Sequence, residues 1–277
     1  MTAPRVLITG ANTGIGFTTA EHLLNNGADL ILACRNMDKA RAAQAKLQQL
    51  SKGQVDLIQL DLNSLASVCT AADEVSARYG ALDVLINNAG IFGQRLAYTE
   101  DGFEQQFGVN YLGPFLLTQR LLPVLQQAPH ARIIHLSSIM HWLGSIQPES
   151  FRGKTPYNAV AAYGQSKLAN LLFSHALAKR LVGTSITSNA LHPGGVDSDI
   201  YRDLPKLMHK AMQLFLVPTS RPAALISNMA LSPEWASKNG EYVSAHMPDW
   251  QSKQAKDGAL ADQLYAQSLE LVRDYLP

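Results

Sequence analysis

Six short apolar runs recur along the chain, and amphipathic helical patterns lie between them. The runs cover residues 5–9, 29–33, 55–60, 82–87, 131–138 and 186–192, with a weaker seventh at 241–245. The helical patterns cover about 14–26, 37–51, 65–79, 103–127 and 162–182. Buried strands that alternate with helices are typical of parallel sheets whose crossover connections are helical. The pattern predicts an α/β fold, a doubly wound parallel sheet of about seven strands.

The 277 residues show no composition break that would divide them. No linker rich in Gly, Ser or Pro occurs and no internal repeat is visible, so residues 1–277 are predicted to form a single domain. The ligand-binding part is expected at about 1–130, and residues 139–160 are expected to be irregular.

A net charge of +1 provides no basic field for nucleic acid.

Two features that the sequence lacks indicate where the protein is located. No 18-residue apolar run occurs, which argues against a transmembrane segment. The opening MTAPRVLITG enters a strand almost at once and leaves no room for a signal peptide. Cys34 and Cys69 are therefore expected to be reduced thiols in a cytoplasmic protein.

A glycine-rich segment, TGANTGIG at Thr9–Gly16, follows the first strand and opens the first helix. Glycines permit a tight turn and a close approach to a pyrophosphate, and the helix N-terminus attracts its charge. A plain glycine-rich turn is the alternative, which the strand–turn–helix context disfavours. The segment predicts a dinucleotide site with contacts from Gly10, Asn12, Thr13, Gly14, Ile15 and Gly16.

The ends of the next strands carry further candidate cofactor contacts. Cys34 stands where an acidic residue would bind the ribose of NAD, and Arg35 follows it, which favours the 2′-phosphate of NADP. Neither Asn12 nor Thr13 adds a second positive charge, so a moderate preference is expected. Two small groups of residues complete the set at strand ends. Asp61 and Leu62 are expected beside the adenine, or as a simple turn; Asn87, Ala89 and Gly90 are expected beside the cofactor, or as an Asn-rich turn.

Tyr163 and Lys167 lie four residues apart in AYGQSKLAN, so they share one face of a predicted helix. A phenol beside a fixed positive charge becomes a proton donor that works near neutral pH. Tyr157 is the local rival, but Ala161 stands four residues after it and supplies no cation. Together with a dinucleotide site, the pair indicates carbonyl/alcohol redox chemistry.

These motifs together resemble the short-chain dehydrogenase/reductase family over nearly the whole chain. The segments ILACRN, FGVNYLGPFLLT, IIHLSS, AYGQSKLANLLF and LHPGGVDSDI are similar to its retinol-dehydrogenase-like branch. The resemblance implies a Rossmann fold and four catalytic residues: Asn110, Ser138, Tyr163 and Lys167. Ser137 is the alternative to Ser138. The resemblance also implies that Pro193, Gly194, Val196 and Ser198 line the nicotinamide.

The resemblance implies an NADP(H)-dependent oxidoreductase that interconverts a carbonyl and an alcohol on a hydrophobic substrate. The alternatives are a reductase of a carbon–carbon double bond, similar to protochlorophyllide reductases, and a non-catalytic NADP(H)-sensing protein. Members of that family commonly form dimers or tetramers, so the resemblance also implies a homodimer or homotetramer. Its interface would be built from the two long helices, predicted at about 103–127 and 162–182. The histidines and cysteines show no metal-ligand spacing, so no metal site is expected.

An apolar segment at about 200–221 is expected to form a lid over the substrate. Its apolar residues recur at helical spacing and include Met208 and Met212, although a helix packed on the core or in a subunit interface is the alternative. After Ser138, His141 is a second candidate for the pocket lining, with an exposed loop histidine as its alternative. Trp142 and Phe151 are candidates for an opposite apolar wall.

Overall fold

The computed structural model describes residues 3–51, 53–195 and 218–277. Within them, one seven-stranded sheet is parallel throughout, in the order β3-β2-β1-β4-β5-β6-β7. The strands are β1 (Arg5–Thr9), β2 (Asp29–Cys34), β3 (Val55–Gln59), β4 (Val84–Asn87), β5 (Ala131–Leu136), β6 (Ile186–His192) and β7 (Tyr242–Ser244). The predicted α/β fold with a parallel seven-stranded sheet is confirmed.

Helices cover both faces of this sheet. They are α1 (Gly14–Asn25), α2 (Met37–Leu50), α3 (Leu65–Arg78), α4 (Gly113–Leu125), α5 (Ala159–Arg180), α6 (Ser220–Leu231) and α7 (Gly258–Leu271). The helix expected over 103–127 is interrupted, because one α-helical turn (Gln105–Phe107) and a π-helical segment (Gly108–Leu112) precede α4. Within the described ranges, no helix has both the length and the apolar character needed to cross a lipid bilayer.

Strand side chains alternate between the two faces and so build two apolar cores. Val6 and Ile8 of β1 lie in one core with residues of α1, α2 and α6, whereas Leu7 lies in the other with residues of α3, α4, α5 and α7. Because both faces are covered, the central strands β1 and β4 are apolar over three consecutive residues each, 6–8 and 84–86.

The strand order reverses between β1 and β4. The chain winds outward from β1 through β2 and β3, then returns to the other side of β1 and winds outward again through β4 to β7. In open α/β sheets, the loops at the carboxyl ends of the two strands at such a switch point diverge and leave a crevice. The fold therefore places a crevice between the loops that follow β1 and β4.

The C-terminal helix α7 lies across α4 and α5. The Tyr265 ring packs 5.3 Å from the Phe115 ring of α4, and the Arg180 guanidinium of α5 stacks over it at 3.9 Å. Lys179 and Arg180 both pair with Asp262 of α7. The two long helices were expected to form the subunit interface, but the chain's own C-terminal helix covers part of their surface. Association through that surface would require α7 to leave it.

Tyr265→Ala tests how strongly α7 is held. Tyr265 is 8% exposed, so we expect the substitution to lower the free energy of unfolding by about 3–5 kcal/mol in a urea titration. Tyr265→Phe removes only the hydroxyl bond to Gln119 and should cost about 0.5–1.5 kcal/mol. A loss below about 1 kcal/mol for the alanine variant would show that α7 contributes little to the fold.

Candidate active site

The turn after β1 is tied to the end of β4 by hydrogen bonds. Thr9 Oγ1 accepts from the backbone N–H of Asn88 (3.0 Å) and of Ala89 (2.9 Å). Asn88 Nδ2 donates in return to the Thr9 carbonyl at 2.8 Å. The two loops at the switch point are thus fixed to each other, and they form one wall of the crevice.

Glycines in this turn meet two separate requirements. Gly10 and Gly14 have φ values of 66° and 56°, which favour glycine. A Cβ on Gly16 would lie 2.6 Å from both Asn88 Nδ2 and the Gly10 carbonyl oxygen. Cys34 lies against the same turn and is 1% exposed, and burial raises the pKa of its thiol despite hydrogen bonds from the turn's backbone.

A cavity of about 540 Å³ opens at the carboxyl edge of the sheet. It contains most of the residues that the sequence analysis assigned to the cofactor. These are Gly10, Asn12, Thr13, Gly14, Ile15, Gly16, Arg35, Asp61, Leu62, Ala89, Gly90, Tyr163, Lys167, Pro193 and Gly194. Val196 and Ser198 lie outside the described residues, as do Met208, Met212 and residues 200–217 of the expected lid.

Two strand-end residues differ from expectation in detail. Asn87 is not brought to the cavity, because its Nδ2 faces the helix layer, 3.0 Å from Thr118 Oγ1 and 3.3 Å from His135 Nδ1. Its neighbour Asn88 lines the cavity instead. Asp61 lies at the cavity, yet its Oδ1 accepts from the Asn63 N–H at 2.9 Å, the turn role that the sequence left open.

The structure adds a second cation that sequence reasoning missed. Lys39 lies in the first turns of α2 and lines the same cavity as Arg35, and Asn36 caps that helix by accepting from the Lys39 N–H at 2.9 Å. Among the described residues, neither Arg35 nor Lys39 forms an ion pair. The four-residue spacing between them was the signal in the sequence, since it places both beside the start of one helix.

Tyr163 and Lys167 lie on one face of α5, as their spacing predicts. Lys167 Nζ is 5.5 Å from the centroid of the Tyr163 ring and donates to the Leu136 carbonyl of β5 at 3.0 Å. Lys167 is 4% exposed, and burial lowers its pKa to about 8. A buried cation therefore lies beside the phenol ring at the edge of the cavity.

The two serines after β5 have different roles in the structure. Ser137 Oγ donates to the Lys167 carbonyl at 2.8 Å and is buried, so it ties β5 to α5. Ser138 Oγ accepts from the Met140 N–H at 3.2 Å, which leaves its own hydroxyl hydrogen for another acceptor. Both line the cavity, and their hydrogen bonds favour Ser138 as the group that meets a ligand.

Asn110 lies in the π-helical segment and binds the backbone of the loop after β4. Its Oδ1 accepts from the Ile91 N–H at 2.7 Å, and its Nδ2 donates to the Ile91 carbonyl at 2.9 Å and to Ser166 Oγ at 3.0 Å. Both amide hydrogens are used, so a further hydrogen bond to this side chain can only be accepted by Oδ1. A Cβ on Gly90 would lie 3.4 Å from both that oxygen and Lys167 Nζ, so both groups lie close beside Gly90.

Three expected wall residues do not line the cavity. His141 is 1% exposed and is held inside the protein, with Nδ1 2.7 Å from the Ser138 carbonyl and Nε2 accepting from the Ser252 N–H at 3.1 Å. Trp142 is 49% exposed, and Phe151 is buried with its ring stacked 3.9 Å from that of Phe107. The irregular connection after Ser138 turns these side chains away from the crevice.

A buried histidine, His192, ends β6 beside the crevice. Burial, followed by the nearby His246, His141 and Lys167, lowers the pKa of His192 to about 4. His192 Nδ1 accepts from the Gly194 N–H at 3.3 Å and so shapes the loop after β6. In the part of the chain that the structure describes, no group of three or more His, Cys, Asp or Glu side chains could hold a metal ion.

Known proteins are similar to this chain in sequence and in fold. The short chain dehydrogenase family matches residues 4–208. Retinol dehydrogenase 12 of Mus musculus is 41% identical over 270 residues, which cover 96% of this chain and 85% of that protein. Retinol dehydrogenase 13 of Homo sapiens is 39% identical over 277 residues, with coverage of 96% and 84%.

Two solved structures illustrate the structural similarity. An uncharacterized protein from Mycobacterium paratuberculosis superposes with a TM-score of 0.80 at 35% identity, covering 98% of this chain and 94% of its own. A short chain dehydrogenase from Burkholderia cenocepacia, solved in complex with NADP, superposes with a TM-score of 0.72 at 27% identity, with coverage of 88% and 96%.

Lys167→Met tests the cost of burying the ammonium. The pKa of Lys167 is about 8 in the folded chain against 10.5 in the unfolded chain, so the unfolded chain binds the proton more tightly. The penalty is therefore complete below about pH 8 and fades as the pH rises from about 8 to 10.5. Asn170 Nδ2 still donates to the Leu136 carbonyl in the variant.

We expect Lys167→Met to raise the free energy of unfolding at pH 7 by up to about 3 kcal/mol, since one pKa unit corresponds to about 1.4 kcal/mol. The gain should shrink between about pH 8 and 10.5 in urea titrations of the cofactor-free protein. Lys46→Met, at an exposed position of α2, should change little and serves as the control. A Lys167→Met variant less stable than wild type at pH 7 would contradict this account.

Proposed function

This chain belongs to the short-chain dehydrogenase family, and from that premise we propose an NADP(H)-dependent oxidoreductase. In this proposal, the enzyme interconverts a carbonyl and an alcohol on a hydrophobic aldehyde or ketone of retinoid, steroid or lipid type. The observation that carries the proposal is the pairing of Tyr163 with the buried ammonium of Lys167 at the edge of the cavity. A proton donor beside a cation in a dinucleotide-binding fold suits carbonyl/alcohol redox chemistry.

The residues at the cavity fit a dinucleotide. The turn after β1 is too tight for side chains at Gly10 and Gly16, so its backbone can approach a pyrophosphate at the N-terminus of α1. Arg35 and Lys39 would hold the 2′-phosphate, and Asp61 with Leu62 would lie beside the adenine. Lys167 would hold the ribose of the nicotinamide.

When bound, the nicotinamide cofactor supplies the hydride for reduction and accepts it for oxidation. In reduction, Tyr163 Oη donates its proton to the substrate oxygen. Ser138 Oγ donates a hydrogen bond to the same oxygen and stabilises the negative charge that develops there. In oxidation, Tyr163 takes the proton from the alcohol.

Lys167 acts on this proton through its charge. The ammonium faces the Tyr163 ring and favours the phenolate that remains after proton transfer. In this proposal, Lys167 and a chain of waters from solvent then return a proton to Tyr163. Asn110 would hold one of these waters by accepting its hydrogen bond at Oδ1, because its amide hydrogens are already bonded. The buried position of Lys167 strengthens its effect, since the cation is poorly screened by water.

Two observations support a hydrophobic substrate. Three apolar residues lie in the cavity wall: Ile91 and Phe92 from the loop after β4, and Val109 from the π-helical segment. Similar proteins include retinol dehydrogenases, whose names specify an apolar alcohol. The lid at about 200–221 stays a prediction, although its last residues, Ser220 and Arg221, begin α6.

NADPH oxidation with a panel of aldehydes and ketones tests the proposed function, with the products identified by mass spectrometry and NMR. The proposal expects alcohols as products and faster turnover of long-chain or ring-bearing substrates than of small sugars. Saturated carbonyl products would instead identify a carbon–carbon double-bond reductase. NADPH binding without turnover of any substrate would identify a sensing protein.

The cellular location and the assembly state stay predictions. The cytoplasmic location rests on the sequence alone, and fractionation of cells that express the chain tests it. The expected homodimer or homotetramer would need a surface other than the part of α4 and α5 that α7 covers. Light scattering of the full chain, combined with cross-linking, tests both the number of subunits and the surface used.

Charge substitutions at the 2′-phosphate position test cofactor preference. We expect Arg35→Gln to lower the ratio of kcat/KM for NADPH over NADH by about ten- to a hundredfold, because one charge-assisted contact is lost. Lys39→Gln should lower the same ratio by a smaller factor, since an exposed ammonium makes a less directional contact. Lys46→Gln, on the same helix but outside the cavity lining, is the control. An unchanged ratio in both test variants would remove these two cations from the cofactor site.

Tyr163→Phe tests the proton donor. The phenyl ring keeps its packing and only the hydroxyl is lost, so we expect turnover to fall by about 10²–10⁴-fold while NADPH affinity stays nearly constant. Fluorescence titration measures the affinity and steady-state kinetics measure the turnover. The proposed role is wrong if the variant keeps more than about a tenth of wild-type kcat.

A further inference from the structure

The loop that follows β4 is fixed to the protein at two points, one on each side of Phe92. At the first point, Asn110 binds both the N–H and the carbonyl of Ile91, at 2.7 and 2.9 Å. Two bonds to one residue fix both the position and the orientation of its peptide groups. The backbone that precedes Phe92 is therefore held in a fixed position.

At the second point, the hydroxyl of Tyr157 binds the carbonyl of Gly93, and the amide of Gln106 supports that hydroxyl. Tyr157 Oη donates to this carbonyl at 2.5 Å, and Gln106 Nε2 lies 3.4 Å from it. Gln106 Nε2 also donates to Tyr157 Oη at 2.8 Å and to the Ala159 carbonyl at 3.1 Å. The amide is fully buried, so these bonds are shielded from competing water.

Between these two points, the Phe92 side chain faces the catalytic phenol. Its ring centroid is 5.5 Å from that of Tyr163, and the two ring planes meet at 69°. This edge-to-face arrangement is favourable and directional. Phe92 also lines the cavity, so its ring contacts the Tyr163 phenol and also forms part of the cavity wall.

Tyr157 is suited to a permanent donor role. Burial, followed by the nearby carboxylate of Glu104, raises the pKa of Tyr157 to about 12. The phenol therefore stays protonated, and its bond to Gly93 persists, at any pH where the protein works. It holds the loop from outside the cavity, because Tyr157 itself does not line the space that Tyr163 faces.

We propose that Phe92 is a wall residue of the substrate site that orients the Tyr163 ring, and that Tyr157 is a positioning residue that acts through Gly93 and Phe92. The inference rests on the proposed function and extends it to residues that the sequence motifs do not include. A rotation of the phenol ring or a displacement of its hydroxyl would lower the fraction of encounters in which the proton reaches the substrate oxygen. Loss of the Tyr157 hydroxyl should therefore lower kcat and leave cofactor binding unchanged.

A double-mutant cycle tests the route of this effect. Tyr157→Phe removes one hydrogen bond and should lower kcat by about two- to tenfold, with the KM for NADPH unchanged. Phe92→Leu should lower kcat at least as much and also raise the KM for a ring-bearing aldehyde. If Tyr157 acts through Phe92, the double variant is no slower than Phe92→Leu alone. Multiplicative effects, or a wild-type kcat for Tyr157→Phe, would overturn the inference.

Tyr79→Phe is the matched control, since its hydroxyl also makes a short hydrogen bond, 2.6 Å to Asp56, away from the cavity. It should leave kcat unchanged even if it lowers thermal stability. If Tyr157→Phe lowers kcat no more than Tyr79→Phe does at an equal loss of thermal stability, Tyr157 has only a structural role. That result would overturn the positioning role.

A measurement without turnover separates this inference from the proposed function. 4-Fluorophenylalanine placed at position 92 of the cofactor-free protein reports the environment of that ring by ¹⁹F NMR. We expect one narrow resonance, shifted from the free amino acid by the Tyr163 ring, which broadens or moves toward the free value in Tyr157→Phe and not in Tyr79→Phe. A resonance that Tyr157→Phe leaves unchanged overturns the inference, whereas a wild-type protein with no carbonyl turnover overturns only the proposed function.

Discussion

The buried ammonium of Lys167 is the constraint on which the site depends. It is bonded to the carbonyl at the end of β5 and faces the ring of Tyr163. Among the described residues no carboxylate pairs with this ammonium, and burial works against its charge, as the lowered pKa shows. The surrounding sheet and helices must offset that cost. The same burial keeps the cation close to the phenol and poorly screened, which is the condition for tuning a proton donor.

The rest of the architecture holds this pair in relation to the crevice. Parallel strands bring the loops after β1, β4, β5 and β6 to one edge, and the reversal of strand order opens the space between the first two. Ser137 ties β5 to α5, and Asn110 ties the π-helical segment to the loop after β4. Farther along α5, α7 packs on Phe173 and pairs with Arg180, and so supports the helix that carries Tyr163 and Lys167.

Much of this could be predicted from the sequence, because periodicity and local motifs are properties of short segments. The strands, the glycine turn and the Tyr163–Lys167 spacing are local in this sense. The choice between Asn87 and Asn88 is not, since a shift of one residue in a strand reverses which face a side chain takes. In the sequence, the π-helical segment cannot be distinguished from an ordinary α-helix. The directions of the His141 and Trp142 side chains could not be predicted either, because they lie in an irregular connection that has no periodicity. The link from Tyr157 through Gly93 to Phe92 joins positions 64 residues apart, which only the fold brings together.

The ionisation of Lys167 is the most direct test of the central claim. Lysine labelled with ¹³C at Cε gives one resonance per residue, and the Lys167→Met variant identifies which one belongs to the site. We predict that this resonance titrates near pH 8 in the cofactor-free protein. Titration of the Lys167 resonance near 10.5, the value of a lysine in the unfolded chain, would contradict a buried, desolvated cation at the site.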